Sequence, residues 1–149
     1  MIVDETEILK LVPIRKPMLC IDGICSVEYG RSVKGYRDIK KVESWAEGHF
    51  VNDPVFPGTL IIETMAQIGA FIFYDKDEPR ELKSYLGKVN NIKFLKKVIP
   101  DCRMYINATL VLKAEKMARI RCEAIVNQLI VARGELTLSF IEDFPMKGN

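Results

Sequence analysis

The stretch Gly58–Tyr74 reads GTLIIETMAQIGAFIFY and carries one charge, that of Glu63. It follows the turn-forming Pro57-Gly58 and stops at the charged, proline-containing Asp75–Pro79, which are typical start and stop signals of a helix. A helix that is apolar on nearly every face either spans a membrane or is buried on all sides. This one falls short of the roughly 20 uninterrupted apolar residues that a span requires. We therefore predict a buried central helix.

Most of the remaining chain reads as β-strand, because short apolar runs alternate with polar residues between turn signals. Ile120 and Cys122, for example, flank the charged Arg121. Lys113–Lys116 and Asn127-Gln128 are short enough to be hairpin turns. One helix with about six antiparallel strands predicts an α+β fold in which a single sheet wraps the helix. The segments predicted as strands are Met18–Glu28, Arg31–Ile39, one that starts in Asn91–Leu95, Met104–Leu112, Met117–Val126 and Leu129–Ile141.

Length and composition exclude several classes of protein. The chain has 149 residues without low-complexity tract, repeat or linker, so we expect one domain over residues 1–149. Its 48% hydrophobic and 28% charged residues are ordinary for a soluble globular protein and exclude intrinsic disorder. The 22 basic and 20 acidic residues leave a net charge of +2, which does not suggest a nucleic-acid partner.

The cysteines and the N-terminus point to a reducing compartment. No C-x-x-C pair occurs, and His49 is the single histidine, so we expect no zinc site. The acidic stretch 1–7 lacks the basic and apolar regions of a signal peptide. We therefore expect a cytoplasmic protein without metal, cofactor or membrane partner, whose reduced cysteines are buried apolar residues. These cysteines are Cys20, Cys25, Cys102 and Cys122.

Two ionisable residues, His49 and Glu63, flank a proline- and glycine-rich loop at the start of the helix. Burial disfavours the charged form of a carboxyl group, so we expect Glu63 to hold a proton near neutral pH and to donate it. Histidine exchanges protons readily at pH 7. Taken separately, each residue has a purely structural reading, as a hydrogen-bonded histidine or as a glutamate at a subunit contact. Together they favour an acid–base pair. If the helix begins near Gly58, its first N–H groups are free to meet a carbonyl oxygen that gains negative charge.

Residues 48–67, GHFVNDPVFPGTLIIETMAQ, resemble the signature of the β-hydroxyacyl-acyl carrier protein dehydratases of fatty-acid synthesis, GHFPxxPVMPGVLxxEAMAQ. Residues 14–22 resemble the family's N-terminal (H/R)-x-P-(F/M)-L-x-(I/V)-D segment. Residues 91–94 with 98–100 resemble its K-F-x-x-P-V-x-P-G-D stretch. The likeness spans residues 11–141 and implies the hot-dog fold, in which an antiparallel sheet wraps one long helix.

The resemblance also implies an activity, the dehydration of (3R)-3-hydroxyacyl thioesters on acyl carrier protein to trans-2-enoyl thioesters. It assigns the catalytic base to His49, the catalytic acid to Glu63 and the carbonyl-binding N–H to Gly58. It implies homodimers, with histidine and glutamate from different subunits, and in some members trimers of dimers. We expect an apolar acyl tunnel, although core packing explains its candidate residues equally well. These candidates are Ile62, Met65, Phe71 and Phe94.

An acidic carrier protein calls for a basic entrance, although such charges can also be a solvated face. The candidates are Arg15, Lys16, Lys93, Lys96 and Lys97. Three features depart from the family pattern. Val51–Pro54 replaces P-G-x-P and resembles the loop of the dehydratase–isomerase branch, but that branch has aspartate where this chain has Glu63. Lys97 stands in place of proline, and Pro100–Cys102 replaces P-G-D. Two alternative functions remain, a hot-dog thioesterase and a non-catalytic acyl-binding partner subunit.

Overall fold

The structure is a computed structural model that describes residues 2–147. Met1, Gly148 and Asn149 lie outside the described residues. The two ends of the predicted domain 1–149 and the first residue of the acidic N-terminal stretch are therefore not described. The helices are α1 (Glu5–Leu11), α2 (Trp45–Gly48) and α3 (Gly58–Gly69), and α3 continues into a 3₁₀ segment, Ala70–Phe73. The strands are β1 (Gly23–Glu28), β2 (Ser32–Ile39), β3 (Ser84–Phe94), β4 (Cys102–Ala114), β5 (Met117–Val126) and β6 (Leu129–Phe140).

The six strands form one antiparallel sheet in the order β1-β2-β4-β5-β6-β3. Consecutive hairpins join β4, β5 and β6, and their turns contain Glu115, Asn127 and Gln128 at positive φ. β1 and β3 are the two edges. This arrangement confirms the predicted α+β class with six strands and the predicted bounds of β5.

The helix α3 lies against the inner face of the sheet, and Gly69 is a point of close approach. A Cβ atom at that position would lie 2.3 Å from Ile120 Cδ1 of β5, so only glycine fits without a shift. Burial changes along the helix. Thr64–Phe73 is buried throughout, whereas Gly58–Glu63 is mostly half-exposed. The prediction of a helix buried on all sides is therefore correct for its second half and wrong for its first.

Several other predictions require correction. β3 begins at Ser84 rather than near Asn91, because nearly all of its side chains are exposed and no alternation marks it. β1 begins at Gly23 rather than Met18, because a side chain of α3 binds the preceding backbone at the Cys20 N–H. The sequence reading missed α1, whose N-cap Asp4 accepts a hydrogen bond from the Glu7 N–H at 2.9 Å. Of the four free cysteines, two are half-buried rather than buried, namely Cys25 and Cys102.

Candidate active site

His49 lies directly after α2 and is held by the loop that leads to α3. Its Nδ1 is 2.7 Å from the carbonyl oxygen of Val55. Because a carbonyl oxygen only accepts hydrogen bonds, Nδ1 carries the ring proton and Nε2 keeps its lone pair. The Val55 N–H donates in return to the His49 carbonyl at 2.7 Å. The half-buried imidazole is therefore fixed in the tautomer that can accept a proton at Nε2.

The packing of Phe56 anchors this loop to the body of the protein. Phe56 is buried and its N–H donates to the Val98 carbonyl at 2.8 Å. Its ring centroid lies 5.2 Å from that of Trp45 in α2, and the Arg37 guanidinium of β2 lies 5.2 Å from the same ring. Val55, whose carbonyl orients His49, is the neighbour of Phe56 in the chain. Because the Phe56 ring is held between α2 and β2, the movement of the imidazole is limited.

The residues that depart from the family loop pattern form an exposed turn. Val51, Asn52 and Asp53 are all exposed, and Phe50 and Asp53 exchange backbone hydrogen bonds of 2.8 and 2.9 Å. Asn52 has a φ of 56°, in the left-handed region that asparagine tolerates better than most residues. The altered residues therefore point to solvent and leave the His49–Val55 hydrogen bond in place.

His49 opens on a cavity of about 400 Å³ that the start of α3 also borders. Gly58 is the first residue of that helix, and its N–H has no acceptor among residues 2–147. The ring of Phe94 covers Gly58 so closely that a Cβ there would lie 3.0 Å from it. An oxygen in this cavity would find a free N–H donor at the positive end of the helix dipole, beside the histidine.

Glu63 lies one to two turns further along α3, and Gln67 holds its carboxyl group. Gln67 Nε2 donates to Glu63 Oε1 at 2.7 Å and to the Met18 carbonyl at 2.8 Å. Gln67 Oε1 accepts from the Cys20 N–H at 2.7 Å. These bonds fix both ends of the Gln67 amide. Glu63 Oε2 takes no part in them. The sequence reading did not single out Gln67, although its position four residues after Glu63 on a helix predicts the contact.

Glu63 faces a second, smaller cavity of about 220 Å³. The residues that line it come from Val12–Ile14, from α3 and the start of its 3₁₀ segment, from residues 82–86 and from β6. None of them lines the His49 cavity. Within one chain, the two predicted catalytic side chains therefore open on different cavities. Glu63 is also only half-buried in the single chain, which is less than its apolar sequence context predicts.

The predicted tunnel residues are distributed over different environments. Met65 and Phe71 are fully buried in the core, and Ile62 is half-buried against it. Phe94 is 50% exposed and borders the His49 cavity. The cavity beside Glu63 is lined by a different apolar set that the sequence reading missed: Val12, Pro13, Ile14, Ala66, Ala70, Leu82, Leu86 and Leu138.

The residues predicted to form a basic entrance lie at different places in the structure. Lys96 and Lys97 are exposed and border the His49 cavity, and Lys93 is exposed on the strand that precedes them. Arg15 donates hydrogen bonds to the carbonyls of Leu9, Val12 and Ile14, so it stabilises the end of α1. Lys16 borders another cavity, whose lining includes the 16–22 segment, β2 and residues 40–45.

Burial also affects polar groups near the site. It raises the pKa of the Cys20 thiol, although the nearby Arg37 acts in the opposite direction. It likewise raises the pKa of the Asp22 carboxyl, which accepts a hydrogen bond from the Asp38 N–H. Residues 2–147 contain no group of three or more histidine, cysteine or acidic side chains that could hold a metal ion. No helix in the same range has the length and hydropathy needed to cross a membrane.

Comparison with known proteins gives one consistent result. A family model described as a FabA-like domain matches residues 12–135. The 3-hydroxyacyl-acyl-carrier-protein dehydratase FabZ of Clostridium botulinum (strain Loch Maree) is 38% identical over 134 residues, which cover 89% of this chain and 92% of that protein. The protein of the same name from Bacillus subtilis is 32% identical over 139 residues, with coverage of 93% and 99%.

Solved structures confirm the hot-dog fold. The dehydratase heterocomplex ApeI:P from Xenorhabdus doucetiae aligns with a TM-score of 0.74 at 17% identity, covering 94% of this chain and 91% of that one. An HP0420 homologue from Helicobacter felis aligns with a TM-score of 0.64 at 16% identity, with coverage of 91% and 85%. At these identities the likeness concerns the fold alone.

Proposed function

This chain belongs to the FabA-like family, and we propose that it removes water from (3R)-3-hydroxyacyl thioesters carried by acyl carrier protein to give trans-2-enoyl thioesters. Relatives named as 3-hydroxyacyl-acyl-carrier-protein dehydratases over nearly the whole chain support this activity. The observation that carries the proposal is the His49–Val55 hydrogen bond, which leaves Nε2 free as a base beside the Gly58 N–H.

The proposed reaction uses three groups. His49 Nε2 removes a proton from carbon 2, and the electron pair moves towards the thioester oxygen, where the Gly58 N–H stabilises the negative charge. The electron pair then returns to form the double bond between carbons 2 and 3 while the bond from carbon 3 to its oxygen breaks. Glu63 protonates the departing hydroxyl, which leaves as water. The imidazolium and the glutamate carboxylate return to their starting states by proton exchange through solvent.

We further propose that the complete site forms between two copies of the chain, with His49 and Gly58 from one and Glu63 from the other. Two observations support this. The His49 and Glu63 cavities share no residue within one chain. The edge strand β3 has a free edge and carries exposed apolar side chains, among them Tyr85 at 57% and Val89 at 44%. Such an edge favours antiparallel pairing with its copy. A trimer of these dimers remains a prediction from the family resemblance.

The carrier protein would approach at the His49 cavity, where Lys96 and Lys97 supply positive charge. Lys93 lies just before them, and none of these three lysines forms an ion pair within residues 2–147. They are therefore available to the phosphate and acidic side chains of a carrier. We also propose that residues 1–149 are one hot-dog unit and that the protein acts in the cytoplasm.

The decisive experiment is mass spectrometry of purified protein incubated with 3-hydroxydecanoyl-acyl carrier protein. We expect the acyl chain to lose 18 Da, the mass of one water, without release of free thiol, and crotonyl-acyl carrier protein to be hydrated in the reverse direction. Free thiol in place of water loss would identify a thioesterase. No turnover in either direction by the folded protein would favour a non-catalytic acyl-binding subunit.

A further inference from the structure

We propose that Phe50 is a positioning residue for the reaction, because its ring stacks on the imidazole of His49 and fixes the direction of Nε2. This inference rests on the proposed function, which takes His49 as the base. Phe50 itself is not one of the three groups of the proposed reaction.

The stack is a close contact between two neighbouring side chains. The centroids of the His49 and Phe50 rings are 4.1 Å apart, and their planes differ by 28°. Both residues belong to the same chain, so the contact exists before a second copy pairs. The phenyl group therefore covers one face of the ring that carries Nε2.

The stack supplies a restraint that the hydrogen bond of His49 does not. The bond from Nδ1 to the Val55 carbonyl holds one edge of the imidazole, and the ring can still tilt about the line of that bond. A flat group against one face limits this tilt. The edge and the face together fix where Nε2 points, and a base acts efficiently only when it is held within about 0.5 Å of its productive position.

The exposed turn after His49 keeps Phe50 in place. The Phe50 N–H donates to the Asp53 carbonyl at 2.8 Å, and the Asp53 N–H donates to the Phe50 carbonyl at 2.9 Å. Phe50 is 54% exposed, so its partners are this turn and the imidazole rather than the core. The turn that departs from the family pattern thus holds the ring that covers His49.

An aromatic ring suits this position better than an aliphatic side chain for two reasons. Two flat rings stay in contact over much of their area when they stack. When Nε2 takes the proton, the imidazole becomes a cation, and a cation is attracted to the negative face of an aromatic ring. Replacing Phe50 with leucine removes both effects, whereas tyrosine keeps both.

The first experiment uses the fact that His49 is the single histidine of the chain. In tag-free protein labelled with carbon-13 at histidine, its two ring C–H groups give the only labelled aromatic signals. Protons above the face of an aromatic ring are shifted upfield by the ring current. On the high-pH plateau of the titration, we expect upfield signals for wild type and Phe50→Tyr, and signals close to those of a histidine peptide for Phe50→Leu.

The second experiment measures dehydration of 3-hydroxydecanoyl-acyl carrier protein. We expect Phe50→Leu to lower kcat about tenfold with KM within about twofold of wild type, because the ring supports the base and not the carrier. Phe50→Tyr should keep at least about half of the wild-type kcat. Val51→Ala is the matched control at the neighbouring exposed position and should equal wild type in both experiments.

Three results would overturn the inference. They are unchanged histidine signals in Phe50→Leu, an unchanged kcat once the stack is lost, and a raised KM with a wild-type kcat, since Phe50 would then bind substrate rather than hold the base. If Phe50→Leu does not fold, Phe50→Met tests the same loss of the ring. If the wild type dehydrates no substrate, the proposed function fails, and the NMR comparison still decides whether Phe50 holds the imidazole.

Discussion

Mixing two inactive variants should restore activity if the catalytic site forms between two chains. In the single chain, His49 and Glu63 open on cavities of about 400 and 220 Å³ that share no lining residue. A dimer of His49→Ala with Glu63→Gln would therefore contain one site with both native residues and one site with neither. In a homodimer of either parent variant, every site would lack one of the two native residues.

The expected magnitude follows from this arrangement. Loss of a general acid or base lowers the rate by roughly 10²–10⁴-fold, so each homodimer should be close to inactive. Random exchange of equal amounts gives heterodimers in about half of the population, and one of their two sites is intact. The unpurified mixture should recover about a quarter of the wild-type rate per chain, and purified heterodimers about half of it.

The assay requires exchange of subunits, achieved by co-expression of the variants with two different affinity tags. Heterodimers are purified through both tags, and loss of water from 3-hydroxydecanoyl-acyl carrier protein is followed by mass spectrometry. A mixture of His49→Ala with the double variant His49→Ala/Glu63→Gln is the matched control, since it offers no intact pair. Purified heterodimers that stay as inactive as their parents would refute a site shared between chains, provided that wild-type heterodimers with the same tags are active.

Two further predictions concern single residues near the site and in the core. Gln67→Leu removes the hydrogen bond that holds Glu63 and should lower kcat roughly ten- to hundredfold with KM unchanged, whereas an unchanged kcat in the folded variant would contradict a positioning role. Burial raises the pKa of the Cys122 thiol to about 12. Because a thiol in the unfolded chain ionises at about 8.5, its stabilising contribution is complete below that pH and is lost as the pH rises towards 12. Urea unfolding between pH 8 and 11 should thus show a steeper loss of stability for wild type than for Cys122→Ala, and parallel curves would contradict this.

The sequence predicted the strands β4, β5 and β6 better than the edge strand β3. β4, β5 and β6 were predicted closely because each has one buried face and ends in a turn, so that hydrophobicity alternates along it. β3 lacks this signal, since its side chains are exposed on both faces of the single chain. A strand with neither face buried by its own chain cannot be recognised from alternation.

The candidate site residues divide in a similar way. His49, Gly58 and Glu63 were predicted from residue chemistry and from the family motif, and that motif also contains Gln67. An apolar acyl tunnel was expected, but the residues that line the cavity beside Glu63 were not predicted, because periodicity cannot assign faces on a helix that is apolar almost all round. Met65 and Phe71 were candidates for the tunnel and lie in the core, whereas the smaller Ala66 and Ala70 border the cavity.

The uneven burial of α3 connects these observations. Its second half is enclosed by the sheet, whereas Gly58–Glu63 is half-exposed at most positions, Leu60 and Ile62 among them. That segment carries both the free Gly58 N–H and Glu63, which we assign to two different sites of a dimer. If Gly58 of one copy serves the same substrate as Glu63 of the other, the exposed halves of the two helices must lie side by side in opposite directions. Pairing would then bury the apolar residues that the chain's own sheet leaves uncovered, and it would complete both sites at once.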